Sequence, residues 1–190
     1  GLICLSGCLG GQLSQAILSG NSGKSTEIAM QYRSLFGDRY YIEIQRHKNN
    51  EDQNKVTPQL INLAETLLID MVATTDSHYI DKEDNNTHDI LLAIQTQTDL
   101  DDKDRMTMKD DDFSLRSPEE MYKEFVDVIS AVSNSIIIAN RCNVDIDIGN
   151  IKLPKFNIDG DYDEYLSKQC YSSIKMKDSY IDRLEYELAV

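Results

Sequence analysis

The chain is 190 residues long, enough for one ordinary domain with a sizeable core. With 41% hydrophobic and 27% charged residues it is globular in composition, which excludes a disordered or fibrous chain. Its formal net charge of −14 excludes a basic nucleic-acid footprint within these residues, and no apolar run approaches the ~18 residues a membrane span needs.

The opening residues, Gly1-Leu2-Ile3-Cys4-Leu5, carry neither the basic segment nor the cleavage site of a signal peptide. No initiator Met precedes them, so the chain is expected to be a piece of something longer. Cys4, Cys8, Cys142 and Cys170 are irregularly spaced and outside any short secreted scaffold, which reads as reduced thiols in a cytoplasmic protein. Leu2 to Ser6 is apolar, ends at Gly7 and reads as a buried strand. Residues 12–36 read as helical, broken near 19–23. Residues 39–44 (RYYIEI) read as a second strand. After a polar loop over 47–54, Thr57-Pro58 gives an N-cap followed by proline at the first helical position. Leu60, Leu63, Ala64, Leu67 and Leu68 then make one apolar face, and residues 71–74 (MVAT) a third strand. Strand–helix–strand–helix–strand predicts an α/β fold with parallel strands.

Asp84 can cap a helix to about Gln95 with Ile90, Leu91 and Ile94 as its apolar face. Residues 96–114 are polar and acidic, a surface loop whose Asp110-Asp111-Asp112 run reads as solvated. Ser117-Pro118-Glu119-Glu120 combines an N-cap, an N1 proline and a capping-box glutamate. Helical periodicity then runs through Met121, Phe125, Ile129, Val132, Ile136 and Ile137 to Cys142. Residues 151–162 read as an extended connector, followed by amphipathic helices over about 163–174 and 179–190.

Metal-type side chains follow all three strands: Cys8 the first, His47 the second, Asp76 and His78 the third. Sites in parallel α/β sheets and barrels gather at the carboxyl ends of strands, so these four can converge. Asp76 and His78 stand at i and i+2 and project to one side of an extended backbone. Thiolate, imidazole and carboxylate together suit Zn²⁺, with Mn²⁺ or Fe at carboxylate-richer positions. Plainer readings stand beside this: a small buried cysteine, a solvated loop histidine, an Asp-x-His turn making local hydrogen bonds. His88, within a predicted helix, reads as a helix-face histidine in a structural contact.

Two motif mimics fail. Gly20-Asn21-Ser22-Gly23-Lys24-Ser25-Thr26 resembles a phosphate loop, but Leu18 stands where its first glycine belongs and a helix precedes it. Asp159-Gly160-Asp161-Tyr162-Asp163 opens like a calcium loop, yet Glu164 and Cys170 replace the required Gly and Glu.

Eight stretches in order carry a family resemblance. They are residues 1–8 (GLICLSGC), 41–47 (YIEIQRH), 72–79 (VATTDSHY), 88–96 (HDILLAIQT), 117–121 (SPEEM), 138–142 (IANRC), 153–156 (LPKF) and 183–188 (RLEYEL). The chain resembles the alpha subunits of bacterial DNA polymerase III, the C-family replicative polymerases, within their PHP (polymerase and histidinol phosphatase) domain. The resemblance implies a fragment: the C-terminal part of a PHP-type distorted (β/α) barrel over 1–150, then a connector and helices leading toward the polymerase palm over 151–190. It implies a metal cluster with ligands at Cys8, His47, Asp76 and His78, holding Zn²⁺ or Mn²⁺. His88 belongs to a family motif without being a ligand, and Thr75 stands where Asn is usual. The family's opening His-x-His is expected before Gly1. The palm, with its catalytic aspartates and Mg²⁺, is expected after Val190, so no nucleotidyl-transfer residue is expected here.

For the parent, the resemblance implies a DNA-directed DNA polymerase with 3′–5′ exonuclease proofreading in its PHP domain. Its partners would be DNA, dNTPs, a sliding clamp and a proofreading subunit, with no membrane. Two alternatives stay open: a PHP domain that only scaffolds the palm or docks a separate proofreader, and a stand-alone PHP phosphoesterase.

Overall fold

In the computed structural model, which describes residues 1–151, 153–173 and 180–189, three short strands lie side by side. They are β1 (Cys4–Leu5), β2 (Tyr40–Ile44) and β3 (Met71–Ala73), all parallel and in the order β1-β2-β3. Helices α1 (Gln12–Leu18) and α2 (Ser22–Phe36) connect β1 to β2, and α3 (Glu51–Leu67) connects β2 to β3. The predicted α/β class with parallel strands is borne out, and the arrangement fits part of a (β/α) barrel.

Side-chain alternation divides the sheet. Tyr40, Ile42 and Ile44, with Ala73, face a core built from Leu13, Ala29, Val56, Leu60 and Ala64. The other face carries polar groups beside Tyr41 and Val72. There Thr74 Oγ1 donates to Glu43 Oε1 at 2.6 Å, and Gln45 Nε2 reaches both Glu43 Oε1 (3.2 Å) and Thr74 Oγ1 (3.1 Å). Ser6 Oγ ties β1 to this face by accepting from Glu43 N at 2.9 Å.

The start of α3 corrects the sequence reading. Asn50, and not Thr57, is the N-cap, its side chain accepting from Gln53 N at 3.0 Å, with Glu51 and Asp52 in the first turn. Pro58 lies inside the helix. The Thr57 hydroxyl is buried and donates to Gln45 O at 2.8 Å, so it anchors the helix to the chain leaving β2. Leu60 and Ala64 are buried as predicted, whereas Leu68 is the exposed left-handed C-cap.

Helix α4 (Asn85–Thr96) forms where expected, but Ile90, Leu91 and Ile94 are exposed, and the residues it buries are Asp89, Leu92 and Ala93. Charge recognition overrides the apolar stripe: Asp89 takes Arg105, Thr107 and Lys109 from the following loop. Helix α5 (Pro118–Glu124) starts with the predicted capping box, Ser117 Oγ accepting from Glu120 N and Glu120 Oε2 from Ser117 N. The expected continuous helix breaks at Phe125 into a 3₁₀ turn over 126–128, then resumes as α6 (Ile129–Arg141). The break lets Phe125 enter the core fully. Two contacts hold α6 to the sheet. Asn134 Nδ2 donates to Met71 O at 2.7 Å, and the Arg141 guanidinium donates to Tyr41 Oη at 2.9 Å and Asp38 O at 3.0 Å.

The unit just described is Gly1–Val144; Asp145–Val190 forms a second one. Within it α7 (Tyr162–Ser173) and α8 (Ile181–Ala189) are helical, Arg183 pairing with Glu187 along α8. The predicted ends of these helices at residues 174, 179 and 190 lie outside the described residues. The two motif mimics are helix caps: Asn21 accepts from Lys24 N at 3.0 Å, and Asp161 Oδ1 from Asp163 N at 2.9 Å. All four cysteines are free.

In the turn after β1, Gly7 takes a left-handed φ of 80° and Gly11 is closely approached by backbone. A Cβ on Gly11 would lie 2.7 Å from Ser6 O and 3.1 Å from Cys8 O, both backbone atoms that cannot swing away. In a urea titration Gly11→Ala is expected to lower stability by about 1–3 kcal/mol, the range for overpacking. Gly23→Ala, whose Cβ meets only Asn21 Oδ1 at 3.8 Å, should be neutral or stabilising in the same urea titration.

Candidate metal centre

The chain leaving β2 delivers His47 to the carboxyl end of the sheet. Arg46 fixes it there: its Nη2 donates to both carboxylate oxygens of Asp127 (2.8 and 2.7 Å), its Nη1 donates to Glu124 O, and the guanidinium lies 4.9 Å over the Phe125 ring. His47 is only 4% exposed, and neither ring nitrogen has a hydrogen-bond partner. A buried polar atom without a partner costs about 1–3 kcal/mol, and among the described residues only Tyr40 Oη shares this state with the two His47 nitrogens. Burial pushes its pKa down, against the opposing pull of Asp111 and Asp76.

Asp76 and His78 follow β3, and the geometry corrects the predicted extended turn. Asp76 has the left-handed φ of 53°, a conformation tolerated by Asp. His78 Nδ1 lies 2.7 Å from Asp76 O and 3.9 Å from Asp76 Oδ1. A carbonyl oxygen only accepts, so Nδ1 carries the proton, leaving Nε2 as the ring's free donor atom toward a ligand. Thr75, beside them, shares a 2.8 Å hydroxyl contact with Ser77.

Cys8 lies in the turn after β1, exposed, its carbonyl accepting from Gly11 N at 2.9 Å. Asp76 and His78 are thus brought together. His47 and His78 share one neighbour, the Phe113 ring, at 4.6 and 5.8 Å between centroids. Yet among the described residues no three His, Cys, Asp or Glu side chains form a group able to hold a metal ion. The donor types and the unpartnered His47 nitrogens fit a contribution to a metal centre; they do not by themselves complete one.

Sequence reasoning missed Asp111 and Phe113. The acidic run read as solvated is tied down: Asp111 Oδ2 accepts from Asn49 N at 3.0 Å, and Asp112 Oδ1 from the Ser114 hydroxyl at 2.6 Å. No periodicity could have signalled this docking. His88 is a structural neighbour, edge-on to His78 with centroids 5.4 Å apart. An open cleft of about 1280 Å³ adjoins His47, with Lys48, Lys82, Arg116 and Lys123 on its walls. Its walls carry six Lys or Arg and six Asp or Glu side chains, so the cleft is balanced on a chain of net charge −14.

Residues 1–47 match the PHP domain family. The chain is similar to DNA polymerase III subunit alpha of Treponema pallidum (strain Nichols), 44% identical over 172 residues, covering 90% of this chain and 14% of that protein. The corresponding subunit of Thermus aquaticus is 40% identical over 162 residues, covering 82% of the chain and 13% of the relative. For Escherichia coli (strain K12) the figures are 34% over 206 aligned positions, 100% of the chain and 18% of the relative. The chain therefore spans about one-seventh of the length of the relatives it matches first and carries no helix, among the described residues, long and apolar enough to cross a membrane. The resemblance read from eight short motifs is borne out: the chain is the counterpart of one section of the DNA polymerase III alpha subunits, with a PHP-domain match over its residues 1–47.

Proposed function

We propose that the chain is a section of a replicative DNA-directed DNA polymerase and that it supplies part of a PHP metal centre for 3′–5′ removal of mismatched nucleotides. Cys8, His47, Asp76 and His78 are the proposed ligands, for Zn²⁺ or Mn²⁺, with the remaining ligands drawn from outside these residues. The observation that carries the reading is His47, buried at the carboxyl end of a parallel sheet with both ring nitrogens unpartnered. A bound divalent metal would lower the pKa of a water and neutralise phosphodiester charge. The chain's own part is to hold the His47 ring through Arg46, to fix the His78 tautomer through Asp76 O, and to offer a charge-balanced cleft to a polyanion. Nucleotidyl transfer, Mg²⁺, DNA, dNTPs, the sliding clamp and a proofreading subunit belong to the full-length polymerase in this reading.

The competing reading is a PHP domain that scaffolds the palm or docks a separate proofreader. Full-length protein carrying His78→Ala or Cys8→Ala separates the two. Bound metal, measured by mass spectrometry, and removal of a 3′ mismatch should both fall at least about tenfold while primer extension persists. Unchanged mismatch removal in both variants would establish the scaffold.

A further inference from the structure

Between α6 and α7 the sequence alternates. Val144-Asp145-Ile146-Asp147-Ile148 places an aliphatic side chain at every second position, and Ile151 and Leu153 resume the alternation after Gly149-Asn150. A period of two, carried by Val and Ile, is the pattern of a half-buried strand. Yet Val144, Ile146, Ile148, Ile151 and Leu153 are all between 75% and 90% exposed. A turn divides the two runs. Asn150 Nδ2 donates to Asp147 Oδ2 at 2.8 Å, and Gly149 takes a φ of 115°, a conformation that favours glycine. With Ile148 and Gly149 at the turn, a hairpin register sets Asp147 opposite Asn150, in agreement with that hydrogen bond, and Ile146 opposite Ile151. Even positions then oppose odd ones. The aliphatic positions switch from even to odd across the same turn, so Ile146, Ile151 and Leu153 share one face and Asp145 and Asp147 the other.

We propose that residues 145–153 are an amphipathic β arm that docks, apolar face inward, on an apolar surface of the same polymerase polypeptide outside these 190 residues. A two-stranded ribbon is marginal by itself in water, so the arm needs a surface to fold against. A contiguous apolar face left in water marks such a contact. The face is too small for a separate molecule: the aliphatic side chains of one short ribbon fall short of the roughly 800 Å² per partner that a stable complex buries. Within one polypeptide the covalent link makes docking intramolecular, and a small patch suffices. The relatives have the length for it. The matched section is 14% of the Treponema pallidum subunit and 18% of the Escherichia coli one, and the latter match covers 100% of this chain, the arm included. The proposal rests on membership of that family and is independent of the metal-centre reading.

Two measurements on the purified full-length polymerase, without other subunits, test it. In the unsubstituted protein, hydrogen exchange read by mass spectrometry should show residues 145–153 exchanging at least about tenfold more slowly than an unstructured peptide. The photo-crosslinking residue p-benzoylphenylalanine is then placed at position 146 or at position 145, with primer extension as the check of folding. Position 146 should crosslink to peptides of its own chain outside residues 1–190, and position 145, on the opposite face, should give little. Mixing isotopically light and heavy protein tells crosslinks within one chain from those between two. Exchange at the unstructured rate, equal crosslinking from both positions, or crosslinks joining two copies would each overturn the proposal. A failed exonuclease assay would leave it standing.

Discussion

Asp89→Ala is expected to lower stability by about 3–5 kcal/mol, the cost of removing one partner from a buried ion pair. Asp89 is 1% exposed and holds Arg105, Thr107 and Lys109 at once. Its removal leaves the buried guanidinium of Arg105 without its carboxylate. Lys109→Ala, by contrast, removes a half-exposed cation and should cost under about 1 kcal/mol. Urea unfolding monitored by far-ultraviolet circular dichroism compares the two, and a loss below 1 kcal/mol for Asp89→Ala would refute the assignment. The same site has a pH signature. Hydrogen bonding from Arg105 foremost, and from Thr107 and Lys109, holds the Asp89 carboxyl well below the usual carboxylate range. A group whose folded pKa is depressed stabilises fully above its unfolded value of about 3.9 and loses that stabilisation as the pH falls further. Native protein should therefore lose stability steeply below about pH 4, and Asp89→Ala should lack that part of the slope.

Phe125→Ala is the second large effect, also expected at about 3–5 kcal/mol. The ring is 0% exposed and sits where the helical run breaks, so its truncation leaves a cavity under the 3₁₀ turn. It also withdraws the aromatic face beneath Arg46, 4.9 Å away, loosening the residue that holds His47 in place. Val126→Ala, one residue on and exposed, should stay within about 0.5 kcal/mol. Equal midpoints for the two variants would show that the break does not serve core packing.

Both residues mark the limits of what the sequence made legible. The α5 start was legible because Ser117, Pro118 and Glu120 carry their whole argument within one turn. The α3 start was not. Thr57-Pro58 has the right local chemistry, but the Thr57 hydroxyl is claimed by Gln45 O, a tertiary bond that no window of sequence reveals. Periodicity marked Ile90, Leu91 and Ile94 as the inner face of α4, and the buried charge at Asp89 turned the helix otherwise. Strand order and strand ends placed Cys8, His47, Asp76 and His78 at one end of a parallel sheet. The closeness of Asp76 and His78 followed from their spacing, although a left-handed turn achieves it in place of an extended one. The Phe113 ring over His47 had no counterpart in pattern or motif, because it depends on a loop without periodicity docking on a distant strand end.

The bond from Arg141 to Tyr41 joins residues 100 positions apart. On a ribosome adding about 5–20 residues per second, roughly 5–20 s separate the emergence of β2 from that of the side chain that fastens it. Helices α1, α2 and α3, whose hydrogen bonds are local, and strand β3 are made within that interval, while the contacts from α6 are still to come. For most of it the apolar core face of β2 lacks Phe125, Val128, Ala131 and Val132 and leans on those helices.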